Sequence, residues 1–255
     1  MSESNEINIK NEQQQMEHAL RFLHERRSMR AFTDQLVPHA VLEQLLKAAR
    51  AAPSGANLQP GRFIQVSGEA RVALTKALLQ NRQNGTPEIE DYDYFPRPMP
   101  MQLRKRQVAA AQALYGAIGI ARDDAPGRES QFERNYRFFD APVALIVTID
   151  ASFGAGGYMD LGMALHGLQL AASAIGMGSC AIGAMASHAQ TIRDVLQLPA
   201  DQHIVCGVAL GWPDTQAPIN RTTTQRIPLD VYFEQRSDTH IHAQQEAACC
   251  PTSTA

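Results

Sequence analysis

Apolar residues recur along this chain in two rhythms, three- to four-residue steps and short unbroken runs, and their alternation predicts helices packed around a covered sheet. Met16, Ala19, Leu20, Phe22 and Leu23 fall at helical spacing and predict an amphipathic helix over 15–26. Val41, Leu42, Leu45, Leu46 and Ala49 mark the buried stripe of a second helix, with Pro38 suited to its first turn. Ala52-Pro53-Ser54-Gly55-Ala56-Asn57 stops it, because the residue before a proline avoids α geometry and Gly55 and Asn57 tolerate unusual backbone angles. Arg62 to Val66 reads as a short strand and Ala70 to Leu79 as another helix. Pro142 to Ile149 is a continuous, β-branched apolar run, the mark of a strand buried on both faces. Gly157 to Gly176 reads as a long helix. Its Gly162, Ala164, Gly167, Ala171, Ala172 and Ala174 permit close backbone approach on several sides, so it is expected to be buried all round. A strand at Ser179 to Ile182, a helix at Ser187 to Leu196 and an apolar strand at Ile204 to Leu210 complete the series. The elements imply an α/β or α+β fold with a covered sheet.

Residues 81–131 break the rhythm. Tyr92, Tyr94, Phe95, Pro96, Pro98 and Pro100 sit in an irregular stretch, followed by a helical pattern from Met101 to Gly116 that carries Arg104-Lys105-Arg106. An aromatic, proline-rich segment without strand character predicts a lid or excursion that lines a substrate cavity. The domain organisation is therefore a tail at 1–14, one domain at 15–234 with 81–131 as its excursion, and a tail at 235–255.

Composition narrows the function classes. With 255 residues, 44% hydrophobic, 19% charged and a formal net charge of -3, the chain reads as an ordinary globular protein with one sizeable core. A mildly acidic chain is poorly suited to hold a polyanion by electrostatics, so no nucleic-acid partner is expected. The opening MSESNEINIKNEQQQ has no apolar run, and Asp160, His166 and Gln169 interrupt the most apolar stretch, Tyr158 to Met177. Neither a secretory leader nor a membrane span is expected, which points to the cytoplasm. Cys180 and Cys206 lie in apolar runs, Cys249-Cys250 and His240-x-His242 lie in the C-terminal tail, and no Cys-x-x-Cys occurs, so no metal site or disulfide framework is expected.

Against that background Arg26-Arg27-Ser28-Met29-Arg30 stands out. Guanidinium groups stay charged and grip phosphate oxygens in a bidentate fork, so the pentapeptide is the best candidate for a phosphate monoester. Taken alone it reads first as a solvated basic face. Arg226, after Thr222-Thr223-Thr224, is a second candidate anion ligand in the extended, polar region that follows Trp212-Pro213.

Several segments in order resemble the FMN-dependent nitroreductase family: residues 26–32, the Ala-Pro-Ser-Gly-Ala-Asn-Leu-Gln-Pro of 52–60, Asp160-Leu-Gly with its long helix, Gly-Ser-Cys-Ala-Ile-Gly at 178–183, and Gly211-Trp-Pro with Arg226-Ile-Pro-Leu-Asp. The likeness covers about 16–234. It implies an α+β fold, a three-layer α-β-α sandwich with a mixed or antiparallel central sheet, working as an arm-exchanging homodimer with FMN at the interface. It also implies NADH or NADPH as transient hydride donor and a nitroaromatic acceptor, reduced in turn through flavin N5 toward nitroso and hydroxylamino products. By the same resemblance Arg26, Arg27 and Ser28 hold the phosphate and ribityl chain, Thr224 and Arg226 give a second phosphate grip, and Arg30 stands at the pyrimidine edge. Pro53, Ser54, Gly55 and Asn57 reach the cofactor of the other subunit. Ala181, Ile182, Gly183 and Ala184 face the reactive edge of the ring, and Asn135 and Arg137, with Arg134 beside them, supply polar contacts to it.

No side-chain nucleophile is required, since the cofactor carries the chemistry. Asp160 is read as a structural carboxylate at a helix start and His166 as a satisfied helix residue. Gly61 stands where many members of the family carry Trp, which implies a missing aromatic wall and a wider cavity. The form of the excursion is similar to the branch acting on nitroarenes, nitrobenzoates included, and Arg104 or Arg106 is a candidate for meeting a substrate carboxylate. Quinone, enone or halophenol reduction, and a non-catalytic flavin-binding protein, are the alternatives. The sequence carries no Gly-x-Gly-x-x-Gly fingerprint and so does not choose between NADH and NADPH.

Overall fold

The computed structural model describes residues 12, 14–17 and 20–236. A helical stretch at 20–25 (α1) leads into the basic pentapeptide. There follow α2 (His39–Arg50), β1 (Arg62–Val66), α3 (Gly68–Gln83), α4 (Met101–Ala117), α5 (Ala125–Glu133), β2 (Val143–Asp150), α6 (Ala155–Ala174), β3 (Gly178–Ile182), α7 (Ala189–Leu196), β4 (Gln202–Gly211) and the short α8 (Leu229–Tyr232). The chain divides into two compact units, one ending at Thr223 and the other beginning at Thr224. Of the tails expected at 1–14 and 235–255, only Glu12, Gln14, Gln235 and Arg236 are described, and the Cys249-Cys250 and His240-x-His242 pairs lie outside the described residues.

The sheet has the order β1-β2-β4-β3 and every neighbouring pair is antiparallel. Strand β2 is central because its run of aliphatic residues can be buried on both sides. Its alternation divides the core in two. Ala144 and Ile146 face Leu74 and Leu78 of α3, Ile192 of α7 and the aromatic group Tyr136, Phe138 and Phe139. Val143, Leu145, Val147 and Ile149 face Leu42 and Leu45 of α2 with Leu161 and Leu168 of α6. Helices thus cover both faces, giving the three layers expected, with an antiparallel sheet between them.

The register places Phe63 opposite Val147 and Ala181 opposite Val208. Between β2 and β4 it slips: Val147 opposes Cys206 while Thr148 opposes Ile204, so Val205 is an extra residue in a β-bulge. Since β3 pairs only with Gly207–Gly211, the first half of β4 presents an open edge there.

Two expectations change. Helix α6 is not buried all round: its ends and its inner stripe pack, but Met159 is 65% exposed and Met163 37%, on one outward face. The excursion also contains a helix that its polar sequence concealed, α5, started by Asp124, whose Oδ1 accepts the Gly127 N–H at 2.9 Å.

Candidate functional site

The basic pentapeptide lies against the outer edge of the sheet. Ser28 bridges Ser179 in parallel fashion, the Met29 N–H donates to the Ser179 carbonyl at 2.9 Å, and Thr33 donates to Trp212 at 2.9 Å. Residues 28–33 thereby cover the open side of β3, which would otherwise be an unpaired edge. The fit is close, since a Cβ on Gly178 would sit 2.7 Å from the Met29 side chain.

Asn220, which sequence reasoning missed, fixes this arrangement. Its Oδ1 accepts from the Arg30 N–H at 2.7 Å and from the Ala31 N–H at 3.2 Å, while its Nδ2 donates to the carbonyls of Ala31 at 2.7 Å and Asp214 at 2.9 Å. The side chain is buried and its amide bonds on both sides. An Asn in a single 3-10 turn (Pro218–Arg221) carries no distinctive sequence signal, and its partner lies 190 positions away.

The Cys180 thiol shows what these side chains face. Burial pushes its pKa up, while Arg30, the Ser28 hydroxyl and Arg26 all act to bring it down. Arg26, Ser28 and Arg30 are therefore gathered beside the middle of β3, two residues before Ile182 and Gly183. Arg27 is exposed. Ala181 and Ile182 end β3, Ile182 buried and Ala181 turned outward, and Gly183 and Ala184 open a 3-10 turn (Gly183–Met185). The structure thus brings the 26–30 segment and the 181–184 segment into one place.

Over Gly183 stands the root of the excursion. A Cβ built on Gly183 would lie 3.0 Å from the Tyr94 ring and hydroxyl, so the phenol is in contact with that main chain. Tyr92 and Tyr94 have ring centroids 5.9 Å apart, and Phe95 follows at 4.7 Å from Tyr94. Burial raises the pKa of both phenols, so they are neutral at physiological pH.

Loop 53–59 forms a separate structure. Ala56, Asn57 and Gln59 all have positive φ (49°, 57° and 50°), a left-handed conformation that side chains other than Asn and Asp seldom adopt. The strain is held in place by Ser54 Oγ, which accepts the Gln59 N–H at 3.0 Å, and by Asp160, whose Oδ2 accepts the Gly55 N–H at 2.9 Å. Asp160 lies in the second turn of α6, so loop anchoring, rather than the helix dipole, accounts for its burial. A cleft of about 270 Å³ opens beside it, lined in part by Arg50, Ser54, Gly61 and Arg62. Gly61 has φ +91°, and a Cβ there would run into Leu161, so this backbone does not admit the large side chain common in the family.

Asn135 spends its side-chain amide on the Phe132 carbonyl at 2.7 Å, and Arg137 lines a different cleft with Arg71, Thr75 and Lys76. In the second unit, Arg226 Nη1 donates to the Thr224 hydroxyl at 2.6 Å and to its carbonyl at 3.1 Å, so these two candidates are neighbours. Among the described residues, no three His, Cys, Asp or Glu side chains converge to hold a metal ion, and no helix is long and apolar enough to cross a membrane.

Comparison with known proteins decides the family. Residues 23–212 match the model of the nitroreductase family. This chain belongs to that family. It is 35% identical over 212 residues to the chloronitrobenzene nitroreductase of Comamonas testosteroni, covering 82% of this chain and 93% of that protein. It is 33% identical over 208 residues to the 4-nitrobenzoate reductase of Nocardioides sp. (strain LMS-CY), covering 80% of this chain and 84% of that protein. Among solved structures, the FMN and NADPH-dependent nitroreductase NfnB from sphigopyxis sp. strain HMH superposes with a TM-score of 0.83 at 37% identity, over 86% of this chain and 99% of the other. Membership gives the nitroreductase fold and an oxidoreductase scaffold. The lone tryptophan, Trp212, directly follows β4 and packs, partly buried, on the α2/α6 side of the core.

Proposed function

We propose that this chain is an FMN-dependent NAD(P)H oxidoreductase that reduces nitroaromatic compounds toward nitroso and hydroxylamino products. The observation that carries this reading is the meeting of the arginine segment 26–30 with the 181–184 segment beneath Tyr94. The relatives support the acceptor class, since the two named above are reductases of chloronitrobenzene and 4-nitrobenzoate.

The donor set fits FMN. Two guanidiniums and a hydroxyl in Arg26, Arg27 and Ser28 suit a dianionic phosphate end, with each charge-assisted bond worth about 1.5–3 kcal/mol. Thr224 and Arg226 offer a second pair of the same chemistry. FMN, when bound, accepts hydride from the nicotinamide and passes it to the nitro group. The chain supplies placement and field. Arg30, its main chain held by Asn220, would supply a positive charge to a bound flavin and favour its reduced, anionic form. Gly183, whose missing side chain makes room for Tyr94, would leave the neighbouring main chain of 181–184 able to face a bound ring. Asn135 and Arg137 complete the polar set in this reading, and the strained loop carrying Pro53, Ser54, Gly55 and Asn57 reaches the cofactor of a second copy.

The homodimer is supported by what one copy leaves uncovered. Helix α6 turns Met159 and Met163 outward, and the second unit exposes Leu229, Val231, Tyr232 and Phe233. Pairing with a second copy would cover apolar surface of each kind, and an extended arm with no core of its own is stabilised by a partner. The cytoplasm, where reduced nicotinamide nucleotides are regenerated, is the compartment this activity needs.

The test is an anaerobic titration of the purified protein with NADH and with NADPH, followed by nitrobenzene or 4-nitrobenzoate. The visible flavin band is expected to bleach with a nicotinamide and return on adding the nitroarene. Bleaching without return would overturn the nitroarene assignment, and a protein that takes up no FMN would overturn the whole reading.

A further inference from the structure

The excursion is fastened to β4 and α7 through Asp91 and Tyr92, by more polar contacts than packing alone requires. The Asp91 carboxylate sits 2.5 Å from Arg193 Nη1 on α7 and accepts the Ile204 N–H at 2.8 Å; both side chains of the ion pair are only 12% exposed. Arg193 also donates to the Gln202 carbonyl at 3.3 Å and to Gln190 at 3.1 Å. One residue on, the Tyr92 hydroxyl donates to the carbonyl of Val205, the extra residue of the bulge, at 2.8 Å. Its ring lies 4.8 Å from that of Tyr158, whose hydroxyl meets His203 Nδ1 at 2.9 Å. These bonds satisfy the backbone groups of β4 where β3 no longer pairs with it. A buried ion pair of this kind contributes little net stability compared with apolar packing, and its best-attested use is to fix one arrangement. The arrangement fixed here is that of Tyr94, two residues further along, whose ring rests on Gly183. Beyond it, Arg97 pairs with Glu90 at 2.7 Å and closes the turn on itself.

We propose that Asp91 is a positioning residue that sets acceptor selectivity: with Tyr92 it latches the root of the excursion onto β4 and Arg193, so that the Tyr94 ring stands as a wall over Gly183 and admits narrow planar acceptors in preference to broad ones. The proposal rests on the oxidoreductase reading above. Asp91 acts through Tyr94 and touches no acceptor. Tyr94 is the specificity-determining side chain.

The experiment compares wild-type holoenzyme with Asp91→Asn, Tyr92→Phe, Tyr94→Ala and the Asp91→Asn/Tyr94→Ala double variant. The reduced enzymes are oxidised in a stopped-flow instrument by nitrobenzene and by 1-nitropyrene, and the ratio of the two second-order rate constants is read. Tyr94→Ala is expected to raise the ratio for the broad acceptor roughly tenfold. Asp91→Asn and Tyr92→Phe are expected to move it the same way by roughly threefold, and the double variant to match Tyr94→Ala alone, because residues acting through one wall are not additive. On the apoprotein, Asp91→Asn is expected to speed amide exchange roughly tenfold across 89–96 and at Gly183–Ala184.

An unchanged ratio in Asp91→Asn with faster exchange would make the ion pair merely structural and overturn the proposal, as would additive effects in the double variant. Unchanged exchange would overturn the latch itself. If neither nitroarene oxidises the wild type, the nitroarene reading fails, and the same variants with benzoquinone and anthraquinone as narrow and broad acceptors decide the latch separately.

Discussion

Two parts of one excursion stand in opposite conditions. Its root turns Asp91 and Tyr92 inward and ties them to β4, α7 and Tyr158, while Tyr94 rests against Gly183. Helix α4, a few residues later, buries no residue, and Met101 and Val108 stand in solvent. Its Ala, Leu, Gln, Lys and Arg are strong helix formers, so the helix can be written without a core. A 17-residue helix with so little packing, its Tyr115 ring lying under Arg128, is nevertheless only weakly held in water. The difference teaches that the excursion joins two devices: a root fixed to the fold by polar contacts, and a helix held mainly by its own propensity.

That contrast can be broken in a definite order of size. Arg193→Ala leaves the Asp91 carboxylate largely buried without its counter-charge and is expected to lower unfolding stability by about 3 kcal/mol. A denaturation midpoint close to wild type would show that the root is not latched. Asn220→Ala strips partners from the Arg30 and Ala31 N–H groups and the Ala31 carbonyl, and a loss of about 2 kcal/mol is expected together with weaker FMN binding in a fluorescence titration.

A pH effect of smaller size comes from the root's other anchor, where Ile89 bridges His188. Burial holds the His188 pKa below its ordinary value of about 6.5, against the opposing pull of Glu88, with Arg82 acting in the same direction as burial and the Tyr136 hydroxyl 3.0 Å away. As pH falls through about 6.5 the unfolded chain takes up a proton that the folded one refuses, so stability declines toward the acid side until the lower folded value is reached. Thermal midpoints measured from pH 8 to about pH 5 should show this slope, and His188→Gln should flatten it. Last, Val108→Gln on α4 is expected to change the stability of an isolated subunit by less than about 0.5 kcal/mol, because Val108 is 47% exposed and lies outside the core. A larger loss that depends on protein concentration would sharpen the contrast by showing the second copy's cover.

The elements themselves were readable to within a few residues because their signals are local. The apolar run of β2, the stripe of α2 and the stop at Pro53-Ser54-Gly55 each depend on neighbours in sequence. The arginine segment stands out because three guanidiniums fall within five positions, and the structure sets that segment against β3. What escaped was long-range and polar. Asp91 reads as one acid among Glu88, Glu90 and Asp93, and only the fold brings Arg193 to it, 102 positions away. Asp160 looked like a helix-start carboxylate until α6 placed it against the Gly55 N–H. The outward face of α6 misled for a related reason: small residues permit close approach, but they do not say whether the neighbour belongs to the same chain.

The hydrogen bonds between Asn220 and residues 30–31 carry a consequence for biosynthesis. The Arg30 and Ala31 N–H groups meet their acceptor only once Asn220, 190 and 189 positions further along, has been made and folded back, so the arginine segment cannot be pinned while the intervening chain is still being synthesised. Any work that this segment does is thereby postponed until the two distant stretches have met.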